Sequence, residues 1–296
     1  MRKKKRLLAL LLICAFILCT IYCAPTEPVY ANENEFIIDR NGTLTKYNGI
    51  GGNITIPNRV STIGEKAFAG NINITSVTIP NSVTYIENNA FDSCTGITQV
   101  KLSTNLQSIG DCAFWGCSSL KKIVLPSKVH TIGFGAFCMC DNLKSIYIPK
   151  NVKNIGSYAF GHLCVGNNYQ KVIDYVIMGE KNSIANKYAE KYQIPFITKE
   201  SLKSSIIKVK KKTTSKILVE WKKNINASGY EIQISSNKKF KKSKTKKIII
   251  KTNFTSNYIS KITKEKKCYV RIRGYRTISG KNYYSSWSKA KTLSIK

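Results

Sequence analysis

Acidic and imidazole side chains are scarce in this chain. Its 296 residues hold 16 Asp and Glu and 2 His, against 48 Lys and Arg. The few acids are spread out, and Asp92, Asp111 and Asp141 fall at different phases of the internal period described below. They offer no motif-like carboxylate pair for acid–base work. His130 and His162 stand apart from any Ser or Cys nucleophile motif, which argues against a triad-type centre. Gly-rich phosphate loops are also missing, since Gly49–Gly52 reads as a turn near the start of the repeats. The chain is therefore read as non-catalytic, with no cofactor.

Long apolar runs are limited to one. Arg2–Arg6 is a basic cluster, and Leu7 to Cys23 is almost uninterruptedly apolar. Its position and flanks read as a secretory signal rather than a retained anchor. Val29 and Ala31 place small residues at −3 and −1, so cleavage is expected after Ala31, giving a signal peptide over 1–31. Tyr22 before Cys23 does not suit a lipoprotein site. With no second such run, the expectation is a secreted or extracellular chain, associated with the cell surface and without a transmembrane segment after cleavage.

Negative charge is scarcest at the C-terminal end. From Ser201 to Lys296 there are 27 Lys and Arg against Glu220, Glu231 and Glu265, whereas Asn32–Glu200 is nearly balanced. Most of the net +32 therefore sits in the last third. A field of that size attracts polyanions and says nothing about fold. Two domains are expected, at 32–199 and 205–296.

What is present is a repeat. Ala-Phe recurs at Ala67-Phe68, Ala90-Phe91, Ala113-Phe114, Ala136-Phe137 and Ala159-Phe160, in steps of 23 residues. Five residues before each Phe stands Ile63, Ile86, Ile109, Ile132 or Ile155, and three further back Val60, Val83, Leu106, Val129 or Val152. Pro57, Pro80, Pro126 and Pro149 keep the same register, with Ser103 as the exception. A unit this short cannot bury its own apolar face, so successive units must stack and share a core. Ser76–Ile79, Gln99–Leu102, Lys122–Leu125 and Ser145–Ile148 alternate as β-strands. They are expected to pair in parallel, about 4.8 Å apart. Gly64, Gly110, Gly133 and Gly156 suit tight turns, with Glu87 breaking that column.

The pattern Ile-Pro, Val, Ile-Gly, Ala-Phe, Cys and Leu resembles the BspA-type leucine-rich repeats of bacterial and some protist surface proteins. The resemblance runs from about Phe36 to Thr198 and implies a mainly β, right-handed leucine-rich-repeat solenoid. Gly42–Gly49 then looks like an N-terminal cap. Ser183–Tyr192 reads as a closing amphipathic helix and Ile194–Ile197 as a closing strand.

Seven cysteines remain after the signal, an odd number that is not a disulfide framework. Cys94, Cys117 and Cys140 are 23 apart and read as one buried column. Ligands spaced by the coil rise do not converge on a point, so no metal site is expected. Cys112, Cys164 and Cys268 are solitary, and a disulfide between coils, such as Cys112 with Cys138, stays open.

Beyond Ile206 the period changes. Ile217–Trp221, Tyr230–Ser235, Lys247–Lys251, Cys268–Arg273 and Lys291–Ile295 read as the short strands of a β-sandwich. The arrangement resembles a fibronectin type III domain, an Ig-like sandwich. Trp221 matches that family's buried tryptophan, and Ile262 with Tyr269 its tyrosine corner. No Arg-Gly-Asp tripeptide is present, so integrin binding is not implied. Arg271 and Arg273 alternate near Trp287 and suit a cation–π ladder.

Function is then expected at variable positions between the rungs. Solenoids commonly bind through exposed strand columns. The candidate binding residues are Thr78, Lys101 and Tyr147 of one column, with Val124 beside them, Lys121 and Lys144 of a second, and Tyr85 of a third. The expected partner is an extracellular protein or glycan. The alternative is retention on an anionic cell-wall polymer through Lys238, Lys239, Lys241, Lys242, Lys244, Lys246 and Lys247. Sequence-specific nucleic-acid binding is not expected, because no groove-reading helix is apparent.

Overall fold

The computed structural model describes residues 33–166, 168–213, 215–251, 254–260 and 267–295. The signal segment, the Ala31 cleavage site and Ile262 lie outside the described residues. Among the described residues no helix is long and apolar enough to cross a membrane.

The 23-residue period builds a solenoid with two parallel sheets. One sheet stacks Thr62–Ile63, Tyr85–Ile86, Ser108–Ile109, Thr131–Ile132 and Asn154–Ile155, each shifted by one period. Thr43–Tyr47 pairs in parallel with the first of these and antiparallel with Phe36–Ile38. The expected N-terminal cap is thus a hairpin grafted on the edge of the sheet. Inside, Phe68, Phe91, Phe114, Phe137 and Phe160 stack with centroids 4.7, 5.0, 5.1 and 5.2 Å apart. All five rings are buried. Phe36 and Tyr47 continue the stack into the cap. Each such pair adds about 0.5–1.5 kcal/mol beyond area burial.

The recurring glycines have a different reason from the one their spacing suggested. A Cβ on Gly64 would stand 2.8 Å from the Leu44 carbonyl oxygen, and one on Gly110 2.6 Å from Asn88 Oδ1. The column is kept small by the backbone of the preceding coil. The turns that need positive φ lie elsewhere. Lys66, Asn89, Cys112, Gly135 and Tyr158 form one left-handed column at φ 52–56°, and Gly70, Ser93, Gly116 and Met139 a second at φ 56–73°. Each of the first four members of the former sends its N–H to a carbonyl of the next coil, at 2.8–3.2 Å. The latter donate to Asp92, Trp115, Cys138 and His162. The stack offsets the strain by satisfying these eight donors.

The second sheet pairs Gly52–Thr55, Ile74–Thr78 and Gln99–Lys101 in parallel. It then breaks. Lys122–Leu125, expected as the next strand, makes only a single bridge, Gln99 to Lys122. Pairing resumes one coil later, where Ser145–Tyr147 joins Val176–Met178 and then Phe196–Ile197. The break coincides with a contact from the far end of the chain, described below. At the C-terminal end, helix Ile184–Lys191 closes the solenoid. Ser183 Oγ caps it by accepting the Asn186 N–H, and Ala185, Tyr188 and Ala189 are buried on one face. Tyr188 Oη accepts the Phe160 N–H at 2.9 Å and donates to the Phe160 carbonyl at 3.2 Å, satisfying the last coil.

The C-terminal residues form two antiparallel sheets around one core. Ile206–Lys211, Lys216–Trp221 and Ser256–Ser260 make the first. Thr245–Ile250, Gly229–Ser235, Lys267–Ile278 and Lys281–Tyr284 make the second, with Lys291–Ser294 beside the start of the long strand. Ile217, Val219 and Trp221 from one sheet meet Tyr230, Ile232, Val270 and Ile272 from the other. The long strand is twice the length of the expected Cys268–Arg273. It overshoots the core and turns back at Ser279 (φ 51°) and Gly280 (φ 79°), a two-residue hairpin turn of the kind that needs two left-handed residues.

Candidate functional site

That overshooting hairpin reaches the solenoid. Ile123 N–H, on the coil where the sheet breaks, donates to Ser279 Oγ at 3.3 Å. Tyr283 stacks on Tyr147 with centroids 4.2 Å apart and planes at 22°. Below them Met178, Ile197, Leu202, Ile278 and Tyr283 form a small buried cluster joining the repeats to the C-terminal sheets. Burial raises the Tyr147 phenol pKa, with Glu180 adding to it, and burial beside Tyr147 pushes Tyr283 up to about 12.

The hairpin tip and the broken sheet enclose an open cleft of about 560 Å³. Its walls include Lys101, Leu102, Lys122, Val124, Pro126 and Lys281. Val124 keeps 43% of its surface exposed there. The lining is mostly apolar, and Lys101, Lys122 and Lys281 supply its positive charge. Such a site accepts an apolar body carrying negative or hydrogen-bond-accepting groups.

The candidate residues do not all fall together. Lys101 and Val124 line the cleft. Thr78, on the same column, is half-buried one coil away. Tyr147 is half-buried under Tyr283, so its ring is occupied by the chain's own hairpin. Lys121 and Lys144 are exposed along the edge of the same face. Tyr85 is exposed on the other sheet, with Oη donating to Gln107 Oε1 at 3.4 Å, and belongs to a separate surface. Lys122 was read only as the start of a strand, and Ser279, Gly280 and Lys281 escaped the sequence reading. The Ser-Gly dipeptide between Ile278 and Lys281 is a turn signal that would have found them.

The C-terminal lysines are placed differently. Lys238, Lys239, Lys241, Lys242, Lys244, Lys246 and Lys247 are all exposed around the turn into the Thr245–Ile250 strand. Lys246 Nζ donates to the Ser260 carbonyl at 2.6 Å, and Lys247 lies 3.4 Å from Glu231. The other five ammonium groups have no partner among the described residues. The turn is anchored by Phe240, whose ring stacks on the Arg271 guanidinium at 4.0 Å. Trp287 then lies between Arg271 and Arg273, 4.4 Å from each, and Tyr284 covers Arg273 at 4.0 Å. Arg273 pairs with buried Glu231 at 2.8 Å, and Gln233 Oε1 accepts two bonds from Arg271. The cation–π ladder expected near Trp287 is present and extends to Phe240 and Tyr284.

The thiols behave as packing groups. Cys94, Cys117 and Cys140 are buried and donate to the carbonyls of Phe68, Phe91 and Phe114 at 3.0–3.3 Å. Burial pushes the Cys94 thiol up to about 12 and the other two well above their usual range. Cys112 and Cys138 are both free thiols. Among the described residues no group of His, Cys, Asp and Glu is arranged to hold a metal. His130 is exposed beside a strand. His162, which follows the last Ala-Phe, is 3% exposed. It is covered because Asn168–Lys171 folds back on His162–Val165 as a hairpin, placing the ring against Tyr158 and Tyr192.

With this geometry in view, the family match falls on the repeats. Residues 47–165 match the model of the BspA type leucine rich repeat region in six copies. This segment is a BspA-type leucine-rich-repeat region. The T. pallidum leucine rich repeat protein TpLRR is 28% identical, covering 50% of this chain and 71% of its own, with a TM-score of 0.45. A leucine-rich repeat protein from Bacteroides ovatus is 32% identical over 44% of this chain and 35% of its own, TM-score 0.37. The pneumococcal vaccine antigen PcpA is 16% identical over 57% of this chain and 47% of its own, TM-score 0.45. The chain thus spans about a third and about half of the last two. No curated protein matches it.

Proposed function

We propose that the protein is a secreted or cell-surface binding protein that acts in adhesion, taking an extracellular protein or glycan on the strand face beside the hairpin. BspA-like leucine-rich-repeat surface proteins are typically cell-surface adhesion proteins, which supports the class. The observation that carries the site is the cleft in which Lys101 and Val124 of the repeats meet Lys281 of the C-terminal sheets. The C-terminal unit is read as fibronectin type III-like, on Trp221 packed edge-on against Tyr230 at 5.4 Å in its core. Its role is then to complete the binding face with its hairpin. The test is capture of full-length chain on an immobilised panel of extracellular matrix proteins and mucin-type glycans. Val124→Glu with Lys101→Ala and Lys281→Ala should weaken the captured interaction about tenfold or more, as expected for central anchors. Unchanged capture would remove the cleft from consideration.

A second reading is retention on an anionic wall polymer. The five unpartnered ammonium groups of Lys238, Lys239, Lys241, Lys242 and Lys244 favour it. Their binding would release counterions, so retention should fall steeply with salt. Equal release of the protein from cell walls at low and high salt would end this reading.

A further inference from the structure

A second concentration of positive charge lies where the two C-terminal sheets meet. Lys203, Lys222, Lys289 and Lys291 surround an open cleft of about 560 Å³, together with Ser204, Ser205 and Ser288. It forms where the start of the Ile206–Lys211 strand meets the segment entering Lys291–Ser294, and it shares no lining residue with the lysine-rich turn before Thr245. The rim is built rather than incidental. Ser204 Oγ donates to the Lys222 carbonyl at 2.6 Å, and Lys222 N–H donates to the Ser205 carbonyl at 2.9 Å. Ser288 Oγ accepts the Ile272 N–H at 3.1 Å and donates to the Lys289 carbonyl at 3.0 Å. Lys291 Nζ donates to the Ile207 carbonyl, which ties its chain across the seam between the two sheets.

The charge in this cleft is not compensated from within. Among the described residues none of the four lysines forms an ion pair. Glu220 is engaged by Lys210, and Glu231 by Arg273 and Lys247. The Glu200 pKa is lowered chiefly by its own first-turn backbone N–H, with Lys203 and Lys199 adding to it, so this carboxylate partly offsets Lys203. Four like charges around one concavity focus the field there and cost self-repulsion that an anion relieves. The cleft, at about 560 Å³, is also far larger than one phosphate or sulfate needs, which leaves room for successive units of a chain.

We propose that this cleft binds the tetrahedral oxyanions of a linear polymer, phosphate diesters or sulfate esters, with Lys203, Lys222, Lys289 and Lys291 as the contacting groups. The inference deepens the wall-retention reading but uses separate residues, so the two sites are testable apart. Lysine contacts such groups as a point charge, and the serine-fixed backbone limits the ordering cost to the four side-chain tips. Two anion sites on one small unit would also give avidity along a single polymer strand.

The experiment uses the full chain and two immobilised probes, linear poly(glycerol phosphate) and heparin, at about 50 and about 300 mM salt. Three variants are compared with the parent: K203Q/K222Q/K289Q/K291Q, K238Q/K239Q/K241Q/K242Q/K244Q, and a control charge-matched to the first, in the repeats and their closing helix, K128Q/K150Q/K153Q/K187Q. Thermal midpoints check that each is folded. The cleft variant should lose about tenfold in affinity at low salt and show a shallower salt dependence, while the repeat control stays near the parent. Loss on poly(glycerol phosphate) alone names phosphate as the source, and loss on heparin alone names sulfate. Equal losses in the cleft variant and the repeat control would overturn the site, since net charge alone would then explain them. An unchanged cleft variant beside a weakened turn variant would overturn the cleft and leave wall retention standing. No binding by the parent would sink both.

Discussion

At the scale of single residues, the repeat is a compromise between side-chain stacking and backbone strain. Ser93 sits in the left-handed column that Gly70 and Gly116 also occupy. A side chain there costs about 1–2 kcal/mol, and a glycine's extra chain entropy offsets roughly half of that. Ser93→Gly should therefore raise stability by about 0.5–1 kcal/mol, and Gly116→Ala should lower it by about 1 kcal/mol. Denaturant midpoints with unchanged slopes would check both. Phe114, stacked on both sides, is the opposite case, and Phe114→Ala should cost about 3–5 kcal/mol. Tyr175 Oη is buried without a hydrogen-bond partner. Tyr175→Phe should be neutral or stabilising by about 1 kcal/mol in the same titration. His162 adds a pH dependence. Burial lowers its pKa, Lys171 adds to this, and the Phe160 carbonyl opposes it. The unfolded chain then takes up a proton near pH 6.5 that the folded chain refuses. The stability it contributes is present above that pH and declines as pH falls below it. The melting temperature should drop between about pH 7 and 5.5, and His162→Gln should flatten that drop.

At the scale of elements, legibility followed periodicity. The five Ile-Phe rungs, the capping helix behind Ser183 and the Cys94–Cys117–Cys140 column were readable because each residue faces its own copy one coil away. Sequence spacing then equals spatial order. The left-handed columns were not readable, because Lys66, Asn89, Cys112 and Tyr158 share a backbone conformation and no side-chain chemistry. The hairpin was missed for another reason. Its strands satisfy a local alternation, but its docking site is over a hundred residues away, and nothing local announces that Tyr283 will land on Tyr147. For the same cause the loss of the Lys122–Leu125 strand could not be foreseen. Tyr283→Ala should release the hairpin and raise hydrogen exchange at the Ile123 amide, with little change at Ile109 on the other sheet. Unaltered protection at Ile123 would mean that Tyr283 does not hold the hairpin against the repeats.

At the scale of the whole molecule, the chain joins a nearly neutral solenoid to a strongly basic pair of sheets. The candidate surfaces follow that division. The shared cleft is mostly apolar, while the turn around Phe240 and the seam near Lys291 carry ammonium groups with few acids to oppose them. Within the C-terminal sheets the like charges repel, and the Arg271–Trp287–Arg273 ladder shows one local answer. It places two guanidinium groups against the same ring, with Glu231 buried beside them. Repulsion among the remaining lysines lies at solvent-exposed positions, where ions screen it over about 10 Å at 0.1 M salt. Raising salt from about 50 to 500 mM should therefore stabilise the C-terminal sheets while leaving the repeats nearly unchanged. Hydrogen exchange separates the two. Protection at Ile232 and Ile272 should rise with salt, and protection at Ile86 and Ile109 should stay level. A fall at Ile232 and Ile272 would mean that the Glu231 ion pairs outweigh the lysine repulsion. A rise at all four sites would mean that salt acts on the whole chain through its net charge or through general burial.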